Sequence, residues 1–348
     1  MTSGSAGAGG TAGGQAGGGA PGGSAGAGDS AGASGGAGSA GATPGTAGAA
    51  AGAAGMSIDA SSADAPREAA SGEVNPDGNS YVPPPVKPSA GCNQMPTQAL
   101  ASWVRNKVQM STRVYDLWVP TGYDKTHAYR TIFVNHGCDG SIPFSTGTNS
   151  MQNVTKGDAI IVALRAASSQ ATGQLYGGGC FDTGPDSTSL TEVPYFDEVL
   201  KEVSGAYCVD TARVFMAGYS SGSWLTNLLG CVRAGVIRGQ GNATGGLPSV
   251  PKTCAGPIAG MLAHDMQDTM NSFAGGEIAR DRILAIDGCG TTTIPYEYDG
   301  TPSTSTPCVM YQGCMSGYPV VWCPTNGKGH SDQVPITTIG LWRFWSQF

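Results

Sequence analysis

Two short runs, RTIFVNHG at 130–137 and AIIVALR at 159–165, are almost wholly apolar and β-rich, and each ends at glycine or a polar residue. Runs of this length and boundary predict strands buried on both faces, which places them in a mostly parallel sheet. The period then changes. In EVPYFDEVLKEVSGAY (192–207), Val193, Phe196, Val199, Leu200 and Val203 recur at helical spacing and predict a helix with one face on that sheet. ARVFMAG (212–218) predicts another strand, and SSGSWLTNLLGCVRAG (220–235) a helix that buries Trp224, Leu225, Leu228 and Leu229. GPIAGMLAHD (256–265) reads as a strand, AGGEIARDRILAIDG (274–288) as a helix stopped by Gly288, and YPVVWC (318–323) as the last strand. VPITTIGLWRFWSQF (334–348) predicts a closing helix. Strands alternating with helices over about 260 residues predict one α/β domain.

No such pattern exists before it. Residues 1–88 are built almost wholly from Gly, Ala, Ser and Thr, with no aromatic residue before Tyr81. That segment has almost no large side chain to bury, so it cannot offset roughly 1–2 kcal/mol of backbone entropy per ordered residue. It is expected to be a disordered tether, with YVPPPVKPSAG stiffening as polyproline II just before a catalytic domain at 89–348. A strict Gly-X-Y period is absent, which argues against a collagen-like role.

Charge divides the same way. More than half of the net charge of -7 lies in the tether, where Asp29, Asp59, Asp64, Glu68, Glu73 and Asp77 face Arg67 and Lys87. The remaining part is close to neutral. It carries no basic patch for nucleic acid and no apolar run near the roughly 18 residues of a membrane span. The start, MTSGSAG, lacks the charged-then-apolar pattern of a secretion signal, so an exported protein beginning this way would have had its leader removed. Export is nevertheless expected from the ten cysteines, an even number confined to the folded part without zinc-type spacing. The expected location is secreted or tethered to the cell surface. Spacing suggests a local Cys308–Cys314 bridge with Cys289–Cys323 around it, without fixing either.

The chemistry centres on GYSSG. The predicted strand 212–218 turns there directly into a helix, and a turn that sharp needs small flanking residues, which Gly218 and Gly222 supply. The G-x-S-x-G frame selects Ser220 as nucleophile and leaves Ser221 at the helix start, where its N–H offers half of an oxyanion hole. A serine hydroxyl needs a base. His127 reads as a loop residue. His136, in the turn after a strand, reads as structural, with the amide of Cys138, or second that of Asp139, as the other oxyanion donor. His264 ends a strand ahead of the acids. His330, in NGKGHSDQ after the final strand, is where the chain order Ser, acid, His puts the base. The acid should follow the intervening strand, which offers Asp265 and Asp268. Asp268 is preferred because it lies further out on the loop, and Asp287 ranks third. The plain alternative is that these acids merely cap the following helix.

HGCDGS, GYSSG, HDMQDTMN, ARDRILAIDGC, and CVMYQGCMSGYPVVWC followed by GKGH resemble, in that order, the secreted feruloyl esterases of carbohydrate esterase family 1, relatives of the polyhydroxybutyrate depolymerases. The resemblance runs from about Ala90 to FWSQF. It implies an α/β-hydrolase fold, a mostly parallel sheet with helices on both faces, and serine esterase activity through Ser220, Asp268 and His330. Asp139, Phe181 and Lys328 depart from the family pattern. The expected substrate is a feruloyl ester of plant cell-wall polysaccharide, with a polyester as rival, hydrolysed by a monomer without metal or organic cofactor. Trp322, Tyr176 and Phe181 are candidate substrate walls, although Trp322 packed inside the last strand is the equal alternative. A non-catalytic binding module on a stalk is the rival of another class. Such a module has no need of three reactive groups in hydrolase order.

Overall fold

A computed structural model describes residues 81–167, 179–184, 191–248, 253–302 and 306–348. Its strands are β1 (Trp103–Lys107), β2 (Val114–Trp118), β3 (Tyr129–Asn135), β4 (Ala159–Leu164), β5 (Val209–Tyr219), β6 (Ile237–Ala243), β7 (Ala259–Asp265), β8 (Thr293–Pro295), β9 (Val309–Tyr311) and β10 (Val320–Thr325). They form one sheet in the order β1-β2-β4-β3-β5-β6-β7-β10-β9-β8. From β4 to β10 every neighbouring pair is parallel, and antiparallel strands close both edges.

Side chains alternate across β3 as the strand period requires. Phe133 joins the core under α2 (Glu192–Ala206) and α3 (Ser221–Val232), with Phe196, Val199, Leu225, Leu228 and Leu229. Ile132 and Val134 join the opposite core with Phe215, Leu341, Phe344 and Trp345. That second face is covered by α5 (Leu341–Ser346), which a π-helical turn (Ile336–Gly340) introduces, so the closing helix is shorter than its sequence predicts. A further helix, α4 (Phe273–Ile286), packs Ala279 and Ile283 on Leu262 and Trp322. Each large apolar side chain buried this way stabilises the fold by roughly 1.5–3 kcal/mol. The remaining helix, α1 (Met151–Val154), is a single turn.

Several strands escape the hydrophobic pattern, and β6 shows why. Its sequence, IRGQGNA, looks like a loop. A Cβ at Gly241 would meet Leu341 Cδ1 at 2.4 Å, and one at Gly239 would meet Trp345 Nε1 at 3.2 Å. The apolar surface at this strand comes from α5, so the strand itself must be bare.

Residues 81–88, which the expected boundary assigns to the tether, lie along the domain. Tyr81 stands edge-on to Phe348 at 5.7 Å, Arg213 Nη2 donates to the Pro84 carbonyl at 2.9 Å, and Pro88 bridges to Asp210. Residues 1–80 are outside the described residues.

All ten cysteines are paired: Cys92–Cys208, Cys138–Cys180, Cys231–Cys254, Cys289–Cys314 and Cys308–Cys323. The suggested Cys308–Cys314 and Cys289–Cys323 bridges are therefore wrong. The reason is register: β9 and β10 pair Met310 with Val321 and Val309 with Trp322, and the same antiparallel register carries Cys308 to Cys323. That leaves Cys314, in the turn after β9, to meet Cys289 after α4.

Candidate active site

Ser220 is the residue between β5 and α3, with φ 54° and ψ -118°. A non-glycine residue with positive φ costs on the order of 1–3 kcal/mol and persists only where its surroundings enforce it. Here the enforcement is visible. A Cβ at Gly218 would lie 2.1 Å from the Gly222 carbonyl oxygen, and one at Gly222 would lie 2.0 Å from that of Asn135. The helix entry thus packs directly on β5 and β3. Ser220 N–H donates to the Ala243 carbonyl at the end of β6 at 3.0 Å, which fixes the turn from the other side.

His330 Nε2 lies 3.0 Å from Ser220 Oγ. Its Nδ1 lies 3.1 and 2.9 Å from the two oxygens of Asp268, so the three side chains form one hydrogen-bonded chain. A carboxylate only accepts, which places the proton on Nδ1 and leaves the Nε2 lone pair facing the serine hydroxyl. Burial opposes ionisation of Asp268, but hydrogen bonds from His330, Asn271 N–H and Met270 N–H outweigh it and hold the carboxyl below its ordinary range. The Tyr219 ring lies 5.2 Å from the His330 ring.

The two acids that the sequence left in competition occupy different places. Asp265, the last residue of β7, accepts from Thr325 Oγ1 and Lys328 N–H on Oδ2, each at 2.9 Å, and from Gln267 N–H on Oδ1 at 2.9 Å. It binds the start of the histidine loop to the sheet, and Lys328 contributes its backbone to that contact. Gly327 and Gly329, at φ 87° and 57°, then swing the chain so that His330 faces Asp268. Neither acid caps α4, whose N-cap is Ser272 with Oγ accepting from Gly275 N–H at 3.2 Å. Asp287 is buried at the opposite end of α4, where Oδ1 accepts from Ile258 N–H at 3.1 Å.

The turn after β3 lies against Ser220. Ser221 Oγ donates to the His136 carbonyl at 3.3 Å, and a Cβ at Gly137 would stand 3.3 Å from that of Ser220. This brings the turn carrying Cys138 beside Ser221, whose N–H is among the first of α3 and lacks an intrahelical acceptor. The turn is held firmly. Cys138 is bonded to Cys180, the neighbouring Asp182 N–H donates to Glu192 at 3.3 Å, and Arg165 holds the Gly140 carbonyl. His136 itself is buried. Its Nδ1–H donates to the Gly137 carbonyl at 2.5 Å and its Nε2 accepts from Ala166 N–H at 3.1 Å. Burial pushes its pKa down to about 4 against the pull of the Gly137 bond.

Two of the suggested substrate walls, Trp322 and Phe181, are buried. Trp322 is 4% exposed, with its ring in the core between Phe273 at 5.6 Å and the Arg280 guanidinium at 5.1 Å. Its assignment as a substrate wall is corrected: β10 is covered by α4, so this side chain faces the helix. Phe181 is buried against His136, with ring centroids 4.6 Å apart, and Tyr176 lies outside the described residues. His127 is an exposed partner of Asp158 at 3.1 Å. A cavity of about 430 Å³ opens between Asp281, Leu284 and Tyr311, but none of its lining residues belongs to the Ser220 site.

No protein-family model matches the sequence. Curated proteins do. Feruloyl esterase D of Neurospora crassa is 28% identical over 283 residues, which cover 75% of this chain and 91% of that protein. Feruloyl esterase C of Emericella nidulans is 28% identical over 250 residues, covering 71% of this chain and 85% of that one. This chain is similar in sequence to fungal feruloyl esterases over about three quarters of its length. Among solved structures, an acetyl xylan esterase from Aspergillus awamori covers 71% of this chain and 100% of its own at a TM-score of 0.54 and 13% identity, a likeness of fold. The chain has the α/β-hydrolase fold, a mostly parallel sheet flanked by helices.

Sequence reasoning gave two residues of this site too small a part. Asp265 was weighed only as an acid, and His264 was set aside for preceding the acids in the chain. HDMQD carries the signal for both: a strand ending in His-Asp, with a second acid three residues on.

Proposed function

We propose that this chain is a serine feruloyl esterase acting through Ser220, His330 and Asp268. The observation that carries the reading is the unbroken contact from Ser220 Oγ through His330 to Asp268. In the first step Ser220 Oγ attacks the ester carbonyl carbon while its proton passes to His330 Nε2. The negative charge that develops on the carbonyl oxygen is received by the N–H groups of Cys138 and Ser221. The tetrahedral intermediate then collapses, the carbon–oxygen bond to the alcohol breaks, and His330 returns the proton to the departing oxygen. Water, deprotonated by the same Nε2, releases the acid and restores Ser220. Asp268 holds the imidazole in its tautomer and stabilises the imidazolium formed in each step.

The acyl group is assigned from the relatives, which are named for feruloyl esters along most of their length. The natural ester is then a hydroxycinnamate on plant cell-wall polysaccharide. Five disulfides suit an oxidising compartment outside the cell, and among the described residues no helix is long and apolar enough to cross a membrane. We assign the segment before Tyr81 the role of a tether to the cell surface or substrate. All three reacting groups come from one chain, so a monomer suffices.

Rates on methyl ferulate, a short polyhydroxybutyrate oligomer and a terephthalate diester, measured side by side, test the substrate class. Methyl ferulate should be preferred. Hydrolysis of the hydroxybutyrate oligomer alone would overturn the feruloyl assignment.

A further inference from the structure

Asp268 is held by more than His330. Its Oδ1 accepts from Met270 N–H at 2.8 Å and Asn271 N–H at 3.0 Å. Its Oδ2, the oxygen closer to His330 Nδ1, lies 3.3 Å from Nε2 of a second histidine, His264. That side chain is 1% exposed and stands one residue before the end of β7, with its ring edge-on to Phe273 at 5.9 Å. The same Nε2 lies 3.1 Å from the Asn271 carbonyl oxygen. A carbonyl oxygen only accepts, so Nε2 must carry the proton, which it donates to Asn271 O while Asp268 Oδ2 lies beside the same N–H. The backing is close: a Cβ at Gly276 would fall 2.2 Å from His264 Nδ1, so the first turn of α4 is bare where the ring lies against it. Asn271 is fixed in turn by its Nδ2–H, which donates to the Thr244 carbonyl at 2.6 Å.

We propose that His264 is a positioning residue of the esterase, whose Nε2–H holds the Asn271 carbonyl, and so the Asn271 N–H that anchors Asp268 Oδ1, and stands beside Oδ2, the oxygen closer to His330 Nδ1. Without that hold the Asn271 N–H is free to drift from Oδ1, and the carboxylate turns with it relative to His330 Nδ1. The inference rests on the Ser220–His330–Asp268 reading and extends it by one residue that does not touch substrate.

The test compares His264→Leu, which keeps bulk and loses the donor, with His264→Gln, whose amide N–H reaches a similar point. Rates are taken on methyl ferulate and expressed per site titrated with a fluorophosphonate. The leucine variant is expected to lose about two- to tenfold in kcat, the range for losing one neutral hydrogen bond, with KM changed less than about twofold. The glutamine variant should recover most of that loss. Equal kcat for leucine and wild type overturns the proposal, as does a folded glutamine variant that falls as far as leucine. Should the leucine variant not fold, histidine 1H–15N correlation spectra of the wild type decide. An Nε2-protonated His264 whose proton shift moves in Asp268→Asn supports the role, and an Nδ1-protonated one excludes it. A wild type that hydrolyses esters without titrating at Ser220 would instead remove the nucleophile assignment, and this inference with it.

Discussion

Ser220 stands at φ 54° with its Oγ 3.0 Å from His330 Nε2, a contact between residues 110 apart in the chain. The strained turn presents the hydroxyl above the sheet, and the loop after β10 delivers the imidazole to it. Ser220→Ala should therefore lower kcat on p-nitrophenyl esters by roughly 10^3 or more without changing the melting temperature appreciably. Ser221→Ala should stay within a few fold of wild type, because that residue contributes its backbone N–H and its hydroxyl only meets the His136 carbonyl. A reversal of the two results would move the nucleophile to Ser221.

The Cys138–Cys180 bridge fastens the turn assigned to the oxyanion. Complete removal of an oxyanion donor costs about 10^2–10^3 in kcat, so loosening one should cost less. Replacing both cysteines by serine is expected to lower kcat by about tenfold, with a smaller effect on KM. Steady-state kinetics on the double variant, beside circular dichroism to confirm the fold, gives the answer.

Asp265 gathers Thr325 Oγ1–H and Lys328 N–H on one buried oxygen. An asparagine there offers a single oxygen and brings an NH2 among donors. Asp265→Asn should cost about 1–3 kcal/mol of stability, the range for leaving buried polar groups unpaired. It should also reduce kcat by displacing the loop that carries His330. Denaturant unfolding and kinetics on the same sample separate the two effects.

Two buried groups set opposite pH slopes. Burial pushes Asp287 up to about 7 against the Ile258 N–H bond, while in the unfolded chain it titrates near 3.8. Between those values the native state keeps a proton the unfolded chain has lost, so stability falls as pH rises from about 4 to about 7. His136 works the other way: its pKa is about 4 in the fold and 6.5 outside it, so stability falls as pH drops through that interval. Above pH 7 only the Asp287 loss remains, on the order of a few kcal/mol. The melting temperature of Asp287→Asn relative to wild type should therefore increase from pH 5 to pH 8. A difference independent of pH would contradict this.

What the sequence made legible followed burial. The apolar runs that became β3, β4, β5, β7 and β10 announce themselves because each strand carries its own core residues. β6 did not, because Gly239 and Gly241 are shaped by side chains from α5 a hundred or more residues later. Trp322 illustrates the limit on function: its position before His330 says nothing about which face of β10 it occupies, and α4 covers that face. Pairing of Cys308 with Cys323 depended on strand register, which spacing does not encode. That Ser220, Asp268 and His330 would meet was legible because strand-turn-helix context and chain order constrain them. The part played by His264 was not, since it needs the fold to bring its Nε2 to Asp268.

The most direct test is mass spectrometry of acid-quenched enzyme after mixing with excess methyl ferulate. A feruloyl group on the peptide bearing Ser220, formed in wild type and missing in Ser220→Ala, is the predicted result. Turnover with that peptide unmodified at every quench time, or undiminished turnover by Ser220→Ala, would contradict it.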